Sequence, residues 1–530
     1  MSTTVVEREA YNVRQLVAAS HENILTSKKL IIVFVSMSVA LMISSIDLTG
    51  VTIAVPYMAK DLDAYSSISW VGTSSLISTT VFMVLFGRFS DIFSRKYTMI
   101  FAMVMLAFFD LACALAQTPT QLYVFRALCG MGNGGITTLS MVIVSDVVTL
   151  EQRGFYQGIL GAFFGIGSAI GPFIASAYIN HSSWRKFYFT LFPICLSSTL
   201  ILIKYVPYTR PQHSMKEKLL NLDYLGFFTS SVAIIFLLIP ISGGGSTFPW
   251  TSAFTISMIV IGGVFFLIFL LVEHRVSKLP LIPLRLFNES FSLTSILLHN
   301  FFFGICYYGI QYYYPYYFEV VRGYTPMETS CFLLAFVLPQ TLTSICSGQL
   351  ISRTKHYGFV IWIGYTLWMI AMGLLSLWGL NTKKGVTIII MVINGLGSGF
   401  IFQPTLIAAQ AHSLKRDRAT VISTRNVLRT FGGSISLAIS ATILANTFAE
   451  NLNATGSKYF SKTEIEVLKT MIYTKPDLSK YTSTQALYLK EIYMLGIKRI
   501  FYVWMACMAY CFITNMPIKD RGLQPIDEKK

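Results

Sequence analysis

The sequence predicts an all-α integral membrane protein with about 14 transmembrane helices, and three observations carry that prediction. Of 530 residues, 54% are apolar and 14% aromatic, while only 12% are charged, against about 25% charged in soluble domains. Mean hydropathy is +0.60, and apolar runs of about 20 residues, each long enough to cross a bilayer core, recur along the chain. With the N-terminus inside, the inner tails and short loops hold roughly four times as many Lys and Arg as the short outer loops. The net charge of +16 therefore reads as a cytosolic-face signature. Nucleic-acid binding is excluded, because the bases are thinly spread and no basic block interleaves with aromatics. Soluble enzymes, secreted disulfide scaffolds and disordered tails fall to the same arithmetic.

The apolar windows place the helices in order. A polar cytosolic tail, residues 1–29, precedes a first window at 30–56 that is too long for the apolar core of a cleavable signal. Windows at 70–86, 97–116, 122–144, 155–179 and 187–206 complete an N-terminal six-helix bundle over 30–206. Residues 207–289 hold two linker helices, at 224–241 and 254–272, bracketed by charged loops with Arg210, Lys216 and Lys218 before and Arg275, Lys278 and Arg285 after. Windows at 293–318, 330–351, 359–380, 386–411, 420–448 and 500–516 form a C-terminal six-helix bundle over 290–517, and 518–530 is a cytosolic tail. An outer or lumenal segment, 449–493, interrupts this bundle. In it Ser461-Lys-Thr-Glu464, ahead of Ile465, Leu468 and Ile472, reads as a capping box opening a short amphipathic helix.

Several patterns mimic chemistry without supporting it. Gly130-Met-Gly132-Asn-Gly134-Gly135 satisfies a dinucleotide fingerprint, and Gly395-Leu-Gly397-Ser-Gly399 is close to one. Both sit inside apolar helices with no preceding strand, so close helix packing is the better account. The eight cysteines have no metal-ligand spacing, and Cys507 and Cys511, one turn apart, read as helix filler. No phosphate-binding loop or metalloprotease pattern occurs. The expectation is a non-enzyme without cofactor or metal.

Gly87-Arg-Phe-Ser-Asp91-Ile-Phe-Ser-Arg95-Lys96 places a glycine, an acid and two bases at a membrane edge, a charge cluster able to lock one conformation and release in another. Gly87, Asp91, Arg95 and Lys96 in this place resemble the signature loop of the major facilitator superfamily. Ile46-Asp47-Leu-Thr49 through Pro56 resembles the first-helix motif of its fourteen-helix drug:proton antiporter branch, of fungal type. Arg126 followed by Gly130 resembles the fourth-helix arginine motif. Gly158, Gly167, Gly171 and Pro172 resemble the fifth-helix antiporter motif, and Trp184-Arg185 and Leu222-Asp223 also fit. Ser94 departs from the pattern by replacing a usual glycine, as does Glu319 by replacing a usual glutamine. After the tenth helix Gly348 to Lys355 echoes the signature loop, with Ser352 in place of the acid.

The resemblance implies a major facilitator fold and proton antiport by alternating access. Ionisable groups inside the membrane each cost about 2.5–3.5 kcal/mol on insertion scales, which singles out Asp47, Asp110 and Arg126 as proton-coupling candidates. Asp110 has no counterpart in the pattern and reads as a second proton site or as the partner of a nearby base. Arg425 and Arg429, four apart on one helix face, read either as partners of loop acids and helix ends or as central groups. Tyr307, Tyr308, Tyr312 and Glu319 are candidates to line a path for an organic cation, through cation–π contact and one carboxylate at the outer mouth. The expected function is proton-coupled export of amphiphilic or cationic drugs or toxic organic compounds from the cytosol, across the plasma membrane. The alternative is import of basic amino acids into a vacuole, with a siderophore transporter or a non-transporting receptor behind it. The expected partners are a small-molecule substrate, protons and the lipid bilayer, with no nucleic acid, and the chain is expected to act as a monomer.

Overall fold

The computed structural model describes residues 27–65, 67–148, 150–206, 223–243, 248–276, 281–282, 284–414, 418–470 and 481–522. Most of the charged loop before the linker helices, part of the loop after them, and the ends of both tails lie outside the described residues. The N-terminal bundle consists of α1 (Ser27–Asp61), α2 (Trp70–Phe93), α3 (Arg95–Leu115), α4 (Pro119–Val147), α5 (Leu150–His181) and α6 (Arg185–Tyr205). The linker pair is α7 (Tyr224–Gly243) and α8 (Ala253–Leu271). The C-terminal bundle consists of α9 (Phe291–Tyr316), α10 (Pro326–Thr354), α11 (Gly358–Leu374), α12 (Lys384–Ala411), α13 (Arg418–Thr455) and α14 (Ser483–Asn515). Among the described residues thirteen helices are long and apolar enough to cross a membrane. With α2, whose 24 residues span about 36 Å at 1.5 Å per residue, they give the expected fourteen.

Packing repeats with an offset of eight helices. In the first bundle α1 packs on α5, α2 and α3 on α4, and α3 on α6; in the second α9 packs on α13, α10 and α11 on α12, and α11 on α14. Two seams join the bundles, α5 with α10 and α2 with α13, and the offset exchanges one for the other, as expected of duplicated transporter halves. The linker pair docks through α7 against α2 and α13, and α8 is the least buried span.

Glycines set the close approaches. Gly130 and Gly134 of α4 lie against the backbone of Ser75 and Thr79 in α2, and Gly132 against Ala102 in α3, so the false dinucleotide pattern is a packing surface on two sides of one helix. Gly395, Gly397 and Gly399 do the same in α12, against Phe336, Trp368 and Thr343.

Helix ends depart from the apolar windows in two places. The signature segment is not an open loop: α2 runs to Phe93, and α3 starts at Arg95 after a single break at Ser94, φ +106°. Further on, α13 continues to Thr455 and α14 starts at Ser483 rather than near 500. The first turns of α14 carry Lys490 and Glu491, which depress hydropathy, yet Leu489, Ile492 and Tyr493 are buried, so amphipathic packing extends the helix beyond its apolar window. A capping box of Thr482 and Gln485 opens it. The predicted box of Ser461 and Glu464 forms, with Glu464 N–H donating to Ser461 Oγ at 3.3 Å and Ser461 N–H to Glu464 Oε2 at 2.8 Å.

Past α14 the chain docks on the base-rich face of the C-terminal bundle. Asp520 accepts the Gly358 N–H at 2.8 Å, and His412 Nε2 lies 2.9 Å from Tyr357 Oη and 3.2 Å from Lys519 O. Burial and the nearby Arg521 hold the His412 imidazole below its ordinary range, while burial pushes the Tyr357 hydroxyl up to about 12. Both groups are therefore neutral near pH 7, and the dock is a hydrogen-bonded one.

Candidate transport site

Asp47 sits in the outer half of α1 and faces α4. Its Oδ1 accepts from Arg126 Nη1 at 2.5 Å and its Oδ2 from Asn133 Nδ2 at 2.7 Å, while Ser44 Oγ donates to Asn133 Oδ1 at 2.6 Å. Asp47 and Arg126 are both 0% exposed. Because Arg126 and Asn133 are seven residues apart, two turns put them on one face of α4, and together they hold both carboxylate oxygens. Breaking a buried pair of this kind from one side costs about 3–5 kcal/mol. The sequence singled out Asp47 and Arg126 but missed Ser44 and Asn133. The seven-residue spacing was the available signal, hidden inside the glycine-rich run.

The fifth-helix motif bears on the same carboxylate. Gly167 of α5 packs against Met42 and Ser45, and a Cβ on Gly171 would lie 2.5 Å from Thr49 Oγ1 and 2.7 Å from Ile46 O. These two glycines therefore clamp α1 just before and just after Asp47. Gly158, nearer the base-rich face, faces Ser344 and Gly348 of α10 across a seam. Pro172 lies within α5, one residue beyond Gly171.

Asp110, fully buried on α3, does not pair with a base among the described residues. Its Oδ1 accepts from the Cys129 thiol at 3.4 Å, and Cys129 Sγ lies 3.8 Å from Cys113 Sγ. Its Oδ2 has no hydrogen-bond partner. Asp110, Arg126 and Asp47 lie within electrostatic reach of one another, so three ionisable groups share one buried interior.

In the signature segment one base reaches across to α4. The side chain of Asp91 lies outside the described residues. Arg95 donates through Nε to Asp146 of α4 at 3.1 Å and through Nη1 to Ser90. Lys96 is half-buried at the start of α3. Gly87 lies within α2 at the seam with α13, where a Cβ would lie 3.8 Å from Ser423 Cβ. The two bundles thus touch at their base-rich ends through both seams.

The aromatic candidates divide into two groups. Tyr312 and Glu319, with Tyr313, Tyr316, Thr52, Pro56 and Leu437, line a vestibule of about 610 Å³, open mouth included, on the face away from the base-rich ends. Glu319 is 1% exposed, deeper than the outer-mouth position expected of it. A local π-helical turn, Tyr317–Val321, follows Pro315 and turns this segment. Tyr307 and Tyr308 do not reach the vestibule lining. Tyr307 accepts from Gln340 Nε2 at 3.2 Å and packs on Phe303 and Phe402, and Tyr308 covers Gly433. His299, whose Nε2 lies 2.7 Å from Thr514 Oγ1, is a hydrogen-bonded helix residue.

Arg425 and Arg429 turn inward, and both are buried with their guanidinium groups over the Phe402 ring, 5.6 and 4.8 Å from its centre. Arg425 donates to Phe402 O, to Thr405 Oγ1 at 3.2 Å and to Asn426 Oδ1 at 3.1 Å. Neither arginine pairs with an acid among the described residues.

Known proteins match this chain along most of its length. The sequence profile of the Major Facilitator Superfamily matches residues 37–220 and 223–437. The chain is 41% identical to Citrate exporter 1 of Yarrowia lipolytica over 96% of its own length and 75% of that protein's. It is 30% identical to the efflux pump dotC of Dothistroma septosporum over 78% of its own length and 71% of that protein's. Among solved structures, the human organic anion transporter MFSD10 superimposes with a TM-score of 0.59 at 11% identity, covering 92% of this chain and 99% of that one. A bacterial homologue of the human lysosomal transporter Spinster, inward-facing and occupied, gives 0.58 at 14% identity, covering 93% and 97%. At such identities the structural likeness speaks to fold alone.

Proposed function

The chain belongs to the Major Facilitator Superfamily, a family of transporters rather than enzymes, and we propose that it is a proton-coupled exporter working by alternating access. The single observation that carries this reading is the buried Asp47–Arg126 pair with Asn133 on its second oxygen. The network suits a charged carboxylate, since every contact to Asp47 is a donor. A proton arriving on Asp47 removes the charge that holds Arg126 and sets an O–H against an N–H on one oxygen or the other. Protonation therefore loosens α1 from α4, and loss of the proton rebuilds the contact. Because α5 clamps α1 beside Asp47 and also meets α10 at a seam, the loosening is delivered where the bundles must part. Relatives named as a citrate exporter and an efflux pump support the outward direction.

A second reading keeps the amphiphilic or cationic passenger, favoured by Glu319 among the tyrosines of the vestibule. Placed in the plasma membrane such a protein is an efflux pump, and in a vacuolar membrane the same antiport stores basic amino acids. The coupling is tested with Asp47→Asn in proteoliposomes under an imposed pH gradient, with lysine, tetraphenylphosphonium and tricarballylate as probes. The variant should take up whichever probe the parent carries at least tenfold less, with probe binding retained. Undiminished gradient-driven accumulation would remove the proton-coupling role.

A further inference from the structure

The inner half of the C-terminal bundle carries buried positive charge that no acid among the described residues balances. Arg429 is 1% exposed, and its Nε and Nη1 have no hydrogen-bond partner; Arg425 has three bonded neighbours but leaves Nε without one. Beside them, Asn426 Nδ2 is also a buried donor without an acceptor, and Gln403 is unpartnered at both its Nε2 and its Oε1. By contrast Arg126, as deeply buried in the first bundle, has Asp47. Two like charges one turn apart repel, and donors left unpaired in a dry interior are costly. A cluster this rich in donors is matched by a ligand that brings acceptors and negative charge.

Its position argues for the passenger rather than a static ion. Phe402 stacks on Phe164 of α5 at 5.8 Å, and Gln403 lies against Gly161 of the same helix. The cluster therefore faces the seam between the bundles, the surface that opens when they rock apart. Side chains one turn apart sit about 5–6 Å from each other, close to the separation of two carboxylates on a short carbon chain, and guanidinium groups grip carboxylates through paired hydrogen bonds.

We infer that the passenger is a small organic anion bearing two or more carboxylates, held between Arg425 and Arg429 with Gln403 and Asn426 completing the contacts. This rests on the transporter reading but not on its proton coupling. A cation leaving the cytosol would meet the two arginines before it reached Glu319, whereas a polycarboxylate would be held by them.

The test is direct binding and counterflow with the purified full-length chain, using succinate and tricarballylate as probes and tetraphenylphosphonium as the opposing charge. Counterflow needs no proton gradient, so it separates this inference from the coupling reading. The parent chain should bind tricarballylate saturably, rise in thermal stability with it, and exchange it. Arg429→Gln and Arg425→Gln should each weaken binding at least tenfold, and Arg429→Lys should retain part of it. The parent-chain measurement decides the matter even if an arginine variant fails to fold. Stabilisation by tetraphenylphosphonium with none by either carboxylate would overturn the assignment, as would unchanged tricarballylate affinity in a folded Arg429→Gln.

Discussion

At the scale of single residues, function concentrates where a side chain contradicts its surroundings. Asp47 and Arg126 were legible because a charge inside an apolar window is conspicuous, and the resemblance named the same two. Their partner Asn133 was not, since its seven-residue spacing from Arg126 is hidden among the glycines around it. Arg425 and Arg429 were visible as a pair on one face, but the lack of an acid opposite them among the described residues is a tertiary fact that no local pattern encodes. Ser94 contradicts its surroundings in the backbone instead. The sequence places serine where the family pattern has glycine, and the structure gives that residue φ +106°, a region that favours glycine and costs other residues about 1–3 kcal/mol. Ser94→Gly should therefore stabilise the protein by about 1 kcal/mol, read as a higher Tm in detergent by tryptophan fluorescence. An unchanged or lowered Tm would mean that the α2–α3 turn carries no such strain.

At the scale of elements, the apolar windows located every membrane span but not where each stopped. Hydropathy measures average surroundings, whereas helix ends are set by caps and packing, so α14 begins at its Thr482–Gln485 box well before the apolar run starts. Helix-to-helix distance was better encoded, through glycine. A side chain at Gly171 has no room against Ile46 and Thr49, while Gly263 of α8 has nothing within 4 Å. Gly171→Leu should cost about 1–3 kcal/mol or more by overpacking and separate α1 from α5 next to Asp47, lowering both Tm and transport. Gly263→Ala should leave both unchanged. Equal effects from the two substitutions would show that lipid contact, and not the α1–α5 approach, governs stability.

At the scale of the whole molecule, the duplicated plan was only half visible: a faded echo of one motif announced it, and the packing offset of eight helices states it fully. The base-rich ends of the bundles meet at both seams, with the vestibule on the opposite face, so transport requires those seams to part. Replacing Gly87 and Ser423 by cysteine puts two Cβ atoms at the 3.8 Å found here, close to the mean Cβ separation of disulfides, about 3.8 Å. Oxidation of the double variant should cross-link α2 to α13 and stop transport, and reduction should restore it; a cross-linked protein that still transports would rule out parting at this seam. The uneven charge of the bundles carries one more consequence, an electrical one. In the first, the arginine is matched by an acid; in the second, two guanidinium groups are not. Both lie within the membrane field, where a full crossing is worth about 2.3 kcal/mol per charge for each 100 mV. Any rocking that shifts them along the membrane normal does a fraction of that work, so the resting voltage of the cell biases which way the empty carrier faces.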